Sequence, residues 1–370
     1  MRTRRLRMLA AGMIGTLTLG LLAAPPAAGH SPSVRLLGER VLPHGLEFRG
    51  TTVGGLSGID RDPRTGEYVL ISDDRGAARY YTARIPLGPR GLGEVRLTGV
   101  HVLRRPDGAA YPSGSVDPEE LRVDPWRGRY YWSEEGDRIE GRLRGPSIRV
   151  AEPGGAQVRR LRVPDNWRMT EDTGPRRNLG PEGFTFAGCG ALVMSALEAP
   201  LLQDGPVPTP AHGALTRITL QPRYGPAFAQ YAYPVEPVFT QPDPPDGYSD
   251  NGVTSILAAG PADPTRYLVL ERGYVAGVGN KVRIFRIDTS GASNVLHRSA
   301  LAGARLRPVR KKLLADLSDL PLSRVDNIEG MAWGPRLPTG ERTLLLVSDD
   351  NFAAGQVTQV VALALRGQHL

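Results

Sequence analysis

The chain has 370 residues, 40% hydrophobic and 23% charged, a balance that supports a buried core and excludes disordered and coiled-coil classes. Its single cysteine, Cys189, excludes a disulfide framework and any thiolate-rich metal site, and reads as a small buried residue in an apolar run. Of the formal charge of +8, four units belong to Arg2, Arg4, Arg5 and Arg7; removing them leaves +4, with arginines scattered among acids rather than gathered into a nucleic-acid-binding stripe.

Those four arginines open a segment with the three parts of a secretory signal peptide. Basic Met1–Arg7, apolar Met8–Ala24 and small Ala27, Ala28 and Gly29 predict cleavage after Gly29, leaving a single domain over 30–370. No second apolar run of spanning length follows, so the exported protein is expected to be secreted, free of a membrane span and monomeric. Val34–Leu42 then reads as a strand with no repeat partner of its own.

From residue 55 onward one pattern recurs five times. Gly55–Asp60, Pro118–Val123, Pro181–Phe186, Asp250–Ser255 and Ile328–Trp333 each set a polar residue before a short apolar strand. With Ser57, Glu119, Glu182, Asn251 and Glu329 taken as equivalent, the spacings are 62, 63, 69 and 78 residues. A turn follows, as in Asp62–Glu67 and Asp124–Gly128, and then a second apolar strand ends in Asp73, Glu134, Glu198, Glu271 or Asp349. Further strand-like runs come at Tyr80–Ile85, Glu94–Leu103, Lys281–Ile287 and Asn294–Leu301, which gives about four strands per unit.

Tandem four-stranded units without intervening helices predict an all-β β-propeller; five repeats are counted, and a sixth blade would fit only between Asn251 and Glu329. One short helix is expected in that interval, at Val309–Leu320, from the spacing of Leu313, Leu314, Leu317 and Leu320. The last repeat supplies three strands, ending at Val357–Leu365, so the N-terminal strand is expected to complete it and close the ring. A two-sheet sandwich is the alternative, and it leaves the repeat unexplained. The Pro-rich stretches Ala199–Pro210 and Gln241–Asp250 read as surface loops.

Inner propeller strands run along the central channel, so the polar residues before them form a ring at one mouth. Glu119, Glu182, Asn251 and Glu329 are the candidate metal ligands, and hard oxygen donors without His or Cys select calcium. The alternative is that these residues bond to backbone and tie blade to blade without metal. Because adjacent strands are antiparallel, Asp73, Asp74, Glu134, Glu198, Glu271, Asp349 and Asp350 fall at the same face. Arg75, Arg177 and Arg272 follow or approach these acids and are the candidate substrate-binding groups for phosphate, with Glu182 and Glu329 the candidate catalytic carboxylates. No G-x-S-x-G elbow, H-E-x-x-H pair, phosphate loop or calcium loop of the D-x-[DN]-x-[DN]-G type occurs.

Gly54–Asp60, Ser72–Gly76, Asp117–Glu119, Arg176–Phe184, Leu270–Arg272 and Asn327–Ala332 together resemble the secreted phytase-like, or "esterase-like activity of phytase", family over roughly residues 35 to 365. The resemblance implies a propeller that hydrolyses phosphoesters or other esters, with the matched acids as calcium and active-site positions and a small-molecule ester as the partner. A lactonase or carboxylic esterase using the same metal, and a non-catalytic binding propeller, are the competing readings.

Overall fold

The computed structural model describes residues 33–139 and 141–367; the export signal expected over 1–29 lies outside the described residues. Five four-stranded antiparallel sheets account for the fold. From the inner strand outward, blade 1 is Leu56–Arg61, Tyr68–Ser72, Arg79–Arg84 and Arg96–Val102, and blade 2 is Pro118–Val123, Tyr130–Glu134, Ser147–Ala151 and Gln157–Arg160. Blade 3 is Gly183–Ala187, Leu192–Ala196, Ala214–Pro222 and Ala229–Val235; blade 4 is Ser249–Ala258, Arg266–Val275, Gly279–Asp288 and Arg310–Asp316.

Blade 5 takes Ile328–Trp333, Arg342–Ser348 and Gln359–Arg366 from the end of the chain and Ser33–Val41 from its start. The expected closure is present, with Ser33 opposite Arg366 and Val41 opposite Gln359. The propeller has five blades, and the interval from Asn251 to Glu329 holds blade 4 without a sixth sheet.

The inner hairpins turn through an Asp-Pro pair in blade 1 and again in blade 2. Asp62 Oδ1 accepts the Arg64 amide at 2.9 Å, and Asp124 Oδ1 accepts the Trp126 amide at 2.8 Å. Gly66 and Gly128 close these turns at φ of +75° and +65°, a region that disfavours any side chain.

Apolar runs such as Tyr68–Ile71 and Leu344–Val347 are buried because alternate residues face different neighbouring blades. Val69 and Ile71 pack towards Leu121 and Trp132 of blade 2, while Tyr68 and Leu70 pack towards Leu345 and Val347 of blade 5. Similar clusters join blades 2 and 3, 3 and 4, and 4 and 5. Each fully buried large apolar side chain contributes roughly 1.5–3 kcal/mol, so the ring is held together at every blade boundary.

Two expected elements differ. Val309–Leu320 is not a helix: Arg310–Asp316 is the outer strand of blade 4, followed by a 3-10 turn at Leu317–Asp319. The strand and turn bring Leu314, Leu317 and Leu320 onto the core between blades 4 and 5, and backbone pairing with Arg283–Asp288 outweighs the helical spacing. Asn294–Leu301 is irregular rather than a strand; it covers the outer edge of blade 3, where the Val295 amide donates to Gln230 O at 2.8 Å. Cys189 is exposed, carried at φ +55° on the turn between Ala187 and Leu192, and its backbone carbonyl accepts from Trp126 Nε1 at 2.7 Å.

The propeller axis is plugged. Arg122, on the inner strand of blade 2, donates to Ile59 O of blade 1 at 2.9 Å, Phe184 O of blade 3 at 2.7 Å and Met331 O of blade 5 at 2.8 Å. Its remaining bonds reach Glu120 at 2.6 Å and, in blade 4, Ser255 Oγ at 3.3 Å and Ile256 O at 3.4 Å. One side chain therefore touches the inner strands of all the other blades.

Candidate functional site

A local irregularity marks four of the five inner strands at the mouth. Pairing skips Ser57 between Leu56 and Gly58, Thr254 between Val253 and Ser255, and Glu329 between Ile328 and Gly330; in blade 2 it skips Glu119 and Glu120. Such a bulge re-aims the skipped side chain. Glu182, directly before the Gly183–Ala196 pair, takes the same place in blade 3.

This register corrects one of the inner-strand equivalences. Asn251 is not the blade 4 counterpart of the glutamates; Thr254 is, and its hydroxyl donates to Ile328 O of blade 5 at 3.4 Å. Ser57 likewise donates to Glu119 O of blade 2 at 2.6 Å. At these two positions the blade-tying alternative is what the structure contains. Asn251 is engaged elsewhere, with Nδ2 donating to Glu236 O at 2.9 Å and Glu271 at 3.0 Å, and it does not line the mouth.

Beyond the second strands, the equivalent residues are Asp73, Glu135, Glu198, Arg272 and Asp349. Glu134 and Glu271, one residue earlier, are structural: Glu134 accepts from Arg144 at 2.9 Å and Arg149 at 3.2 Å, and Glu271 accepts from the Tyr233 hydroxyl at 2.7 Å and from Lys311. Asp350 accepts the Gly55 amide at 2.9 Å and ties blade 5 to blade 1, and Asp74 serves a local turn and pairs with Arg79.

The mouth is a cavity of about 1070 Å³. Asp73, Asp117, Glu119, Glu182, Glu198, Asp250, Asp326, Glu329 and Asp349 line it, against Arg75, Arg272 and Arg324. Carboxylate oxygens of Asp117, Glu119 and Glu135 lie within 4.8 Å of one another, as do those of Glu135, Glu182 and Glu198, and all of these residues except Glu135 line the cavity. Glu135 is common to both trios. All five residues are buried.

Removal from water, reinforced by neighbouring carboxylates, holds Glu119 and Glu182 well above the ordinary carboxyl range. Desolvation dominates at Glu198 and Asp73 too, and it pushes Glu135 up to about 8. Such a group retains protons near neutrality unless a cation replaces them.

The arginines are already committed. Arg272 donates to Asp250 at 3.0 Å, Glu329 at 3.2 Å and Glu198 at 3.3 Å, and these acids raise its own pKa against the cost of burial. Arg75 pairs with Asp117 through Nε at 2.8 Å and lies 3.9 Å from Glu135. Arg177 is exposed and does not line the cavity; its neighbours divide the work, Arg176 donating to Pro200 O and Gly205 O while Asn178 lines the mouth beside Arg75.

A hard cation fits this donor set. The ligands are all oxygen, two trios are close enough to share an ion each, and Asp73 Oδ1 is shielded from solvent without a hydrogen-bond partner. Asp117 and Glu135 were absent from the sequence-derived site. The signal for Glu135 lies in the acidic doublet: Glu134–Glu135 matches Ser72–Asp73 and Ser348–Asp349 in register, so its second acid takes the place of Asp73 and Asp349.

Among solved structures, the chain resembles an endo-arabinase from Bacteroides thetaiotaomicron VPI-5482 at 12% identity, covering 84% of this chain and 93% of that one with a TM-score of 0.45. It also resembles an N-acetylgalactosamine deacetylase from F. plautii (10% identity, 92% and 95% coverage, TM-score 0.42) and a periplasmic gluconolactonase from Pseudomonas aeruginosa (11%, 86% and 89%, 0.34). Among curated proteins none matches. The family model for "Phytase-like: Esterase-like activity of phytase" matches residues 51–352, a span that contains every acid of the two trios, and the chain belongs to that family.

Proposed function

We propose that the protein is an exported, calcium-assisted hydrolase of phosphoesters. The observation that carries this reading is the pair of buried carboxylate trios joined at Glu135, an all-oxygen site whose other four acids line the mouth cavity. Asp117, Glu119, Glu135, Glu182 and Glu198 would hold the ion, with Asp73 able to join them.

When bound, calcium supplies charge neutralisation and polarisation of a phosphoryl oxygen. The chain's own residues do the rest. Glu329 lies outside both trios, is fixed by Arg272 at 3.2 Å, and has a pKa raised by burial, so it is poised to take a proton from an attacking water. Glu182 belongs to the second trio and acts chiefly as a ligand. Arg75 and Arg272 orient the phosphate while remaining tethered to acids.

A second reading, carboxylic ester or lactone hydrolysis, is favoured by one observation: all three cavity arginines already have acidic partners, which suits a less anionic substrate. The test is hydrolysis of phosphomonoesters, phosphodiesters, phytate and lactones in calcium and in chelator, with Glu329→Gln alongside. Calcium-dependent phosphate release, reduced about 100-fold or more in the variant, is expected. Turnover of lactones alone would replace the phosphoester reading, and no turnover of any substrate would leave a binding propeller.

A further inference from the structure

The acidic mouth has one wall of a different character. Tyr248, Tyr274 and Val278, all from the upper edge of blade 4, line the same cavity yet remain 64%, 37% and 55% exposed. Large apolar groups left open beside a dense cluster of charges need a reason, because most of the rest of the lining is polar. The two tyrosine rings lie 6.3 Å apart, tilted by 32°, and so form a broken plane rather than a closed stack.

That plane is fixed in place. The Tyr248 hydroxyl donates to Asp250 Oδ2 at 2.9 Å, and the same oxygen accepts from Arg272 at 3.0 Å. The other oxygen, Asp250 Oδ1, accepts the Tyr274 amide at 2.8 Å. Asp250 therefore anchors both tyrosines and, through Arg272, couples them to Glu329 and Glu198 at the reacting end. With its proton donated to Asp250 and its ring bare, Tyr248 presents an apolar face to a ligand.

We propose that Tyr248 and Tyr274 form a stacking subsite for an aryl group on the organic part of the substrate, so that the substrates are ring-bearing monoesters rather than polyphosphorylated ones. The proposal rests on the hydrolase reading above. It agrees with the supply of cations: Arg75, Arg272 and Arg324 are each paired with an acid, which leaves no uncommitted arginine among the lining residues for additional phosphates. An aromatic pair supplies modest extra affinity, enough for a preference rather than for binding by itself.

The test is calorimetric binding of phenylphosphonate, methylphosphonate, benzoate and acetate to the full protein in calcium. Phenylphosphonate is expected to bind about fivefold more tightly than methylphosphonate, the range that ring pairs provide. Tyr248→Ala and Tyr274→Ala should each bring that ratio close to one, while Tyr248→Phe, which keeps the ring, should preserve it. Both tyrosines are exposed, so the replacements leave the core intact.

If phosphonates bind with no preference for the ring, the stacking subsite is wrong and the phosphoester reading survives. If benzoate is preferred over acetate while neither phosphonate binds, the subsite stands and the phosphoester reading falls. Binding of none of the four would overturn both.

Discussion

Glu120 and Arg122, two residues apart on the inner strand of blade 2, form a buried ion pair of 2.6 Å at the meeting point of the five inner strands. Arg122 also satisfies carbonyls from blades 1, 3 and 5, so it works as a hub as well as a partner. Breaking a buried pair leaves the other charge uncompensated, and Arg122→Met is expected to destabilise the protein by about 3–5 kcal/mol. Replacing both, as Glu120→Leu with Arg122→Met, should recover part of that loss. Urea unfolding of the three proteins measures it; equal stability of Arg122→Met and wild type would remove the hub from the account.

The trios make stability depend on pH in an unusual direction. Burial, then the charge of Asp117, raises Glu135 from 4.5 to about 8, so the folded protein holds this proton more tightly than the unfolded chain does. That contribution is fully present below pH 4.5 and is lost as pH rises through about 8. Glu119, Glu182 and Glu198 shift the same way. Without calcium, the melting temperature should fall between pH 5 and 8; excess calcium should abolish the fall, and its binding should release protons. A melting temperature that climbs over this window in chelator would be incompatible with buried, protonated trios.

Arg272 occupies in blade 4 the register position that an acid holds in every other blade. Its charge offsets Asp250, Glu198 and Glu329 and also competes with a cation. Arg272→Met should therefore tighten calcium binding several-fold, lower the melting temperature of the calcium-free protein, and reduce hydrolysis at least tenfold through misplacement of Glu329 and the phosphate. Weaker calcium binding in the variant would mean that Arg272 supports the ion site rather than opposing it.

Closure of the ring depends on Ser33–Val41, which pairs along Gln359–Arg366 and joins Arg35 to Glu341 at 2.9 Å. A chain beginning at Pro43 exposes the edge of the last blade and is expected to aggregate, whereas one beginning at Pro32 should melt as the full chain does. Size-exclusion chromatography and thermal melting compare the two. A monomeric, equally stable chain from Pro43 would show that the closing strand is dispensable.

The propeller was legible in the sequence because each blade repeats the same local chemistry: a polar residue, a short apolar strand, an Asp-Pro or Gly-rich turn, and a second apolar strand ending in acid. Closure by the N-terminal strand followed from counting strands. Glu119, Glu182, Glu198, Glu329, Asp73 and Asp349 were all placed at one mouth by antiparallel pairing alone. What failed was register at single-residue precision. The inner hairpin of blade 4, Ser249–Ala258 against Arg266–Val275, runs on past the mouth, so Asn251 lies three residues before the mouth position Thr254, Glu271 stops one short and Arg272 takes the acid's place; an apolar pattern does not mark where along such a hairpin the mouth falls. Glu135 was hidden by Glu134, and Arg122 by an ordinary-looking position in an inner strand, because its partners come from four distant repeats. Leu313, Leu314, Leu317 and Leu320 suggested a helix through spacing that a strand and a tight turn meet equally well.

The residue shared by both trios gives the most direct test of the metal-assisted reading. Calcium titration by calorimetry should show binding to the wild-type protein and its loss, or weakening by at least 100-fold, in Glu135→Gln, which keeps the size and the Gly180 amide contact while removing the shared charge. Undiminished calcium binding by Glu135→Gln, or no binding by the wild type, would contradict a cation site at the channel mouth.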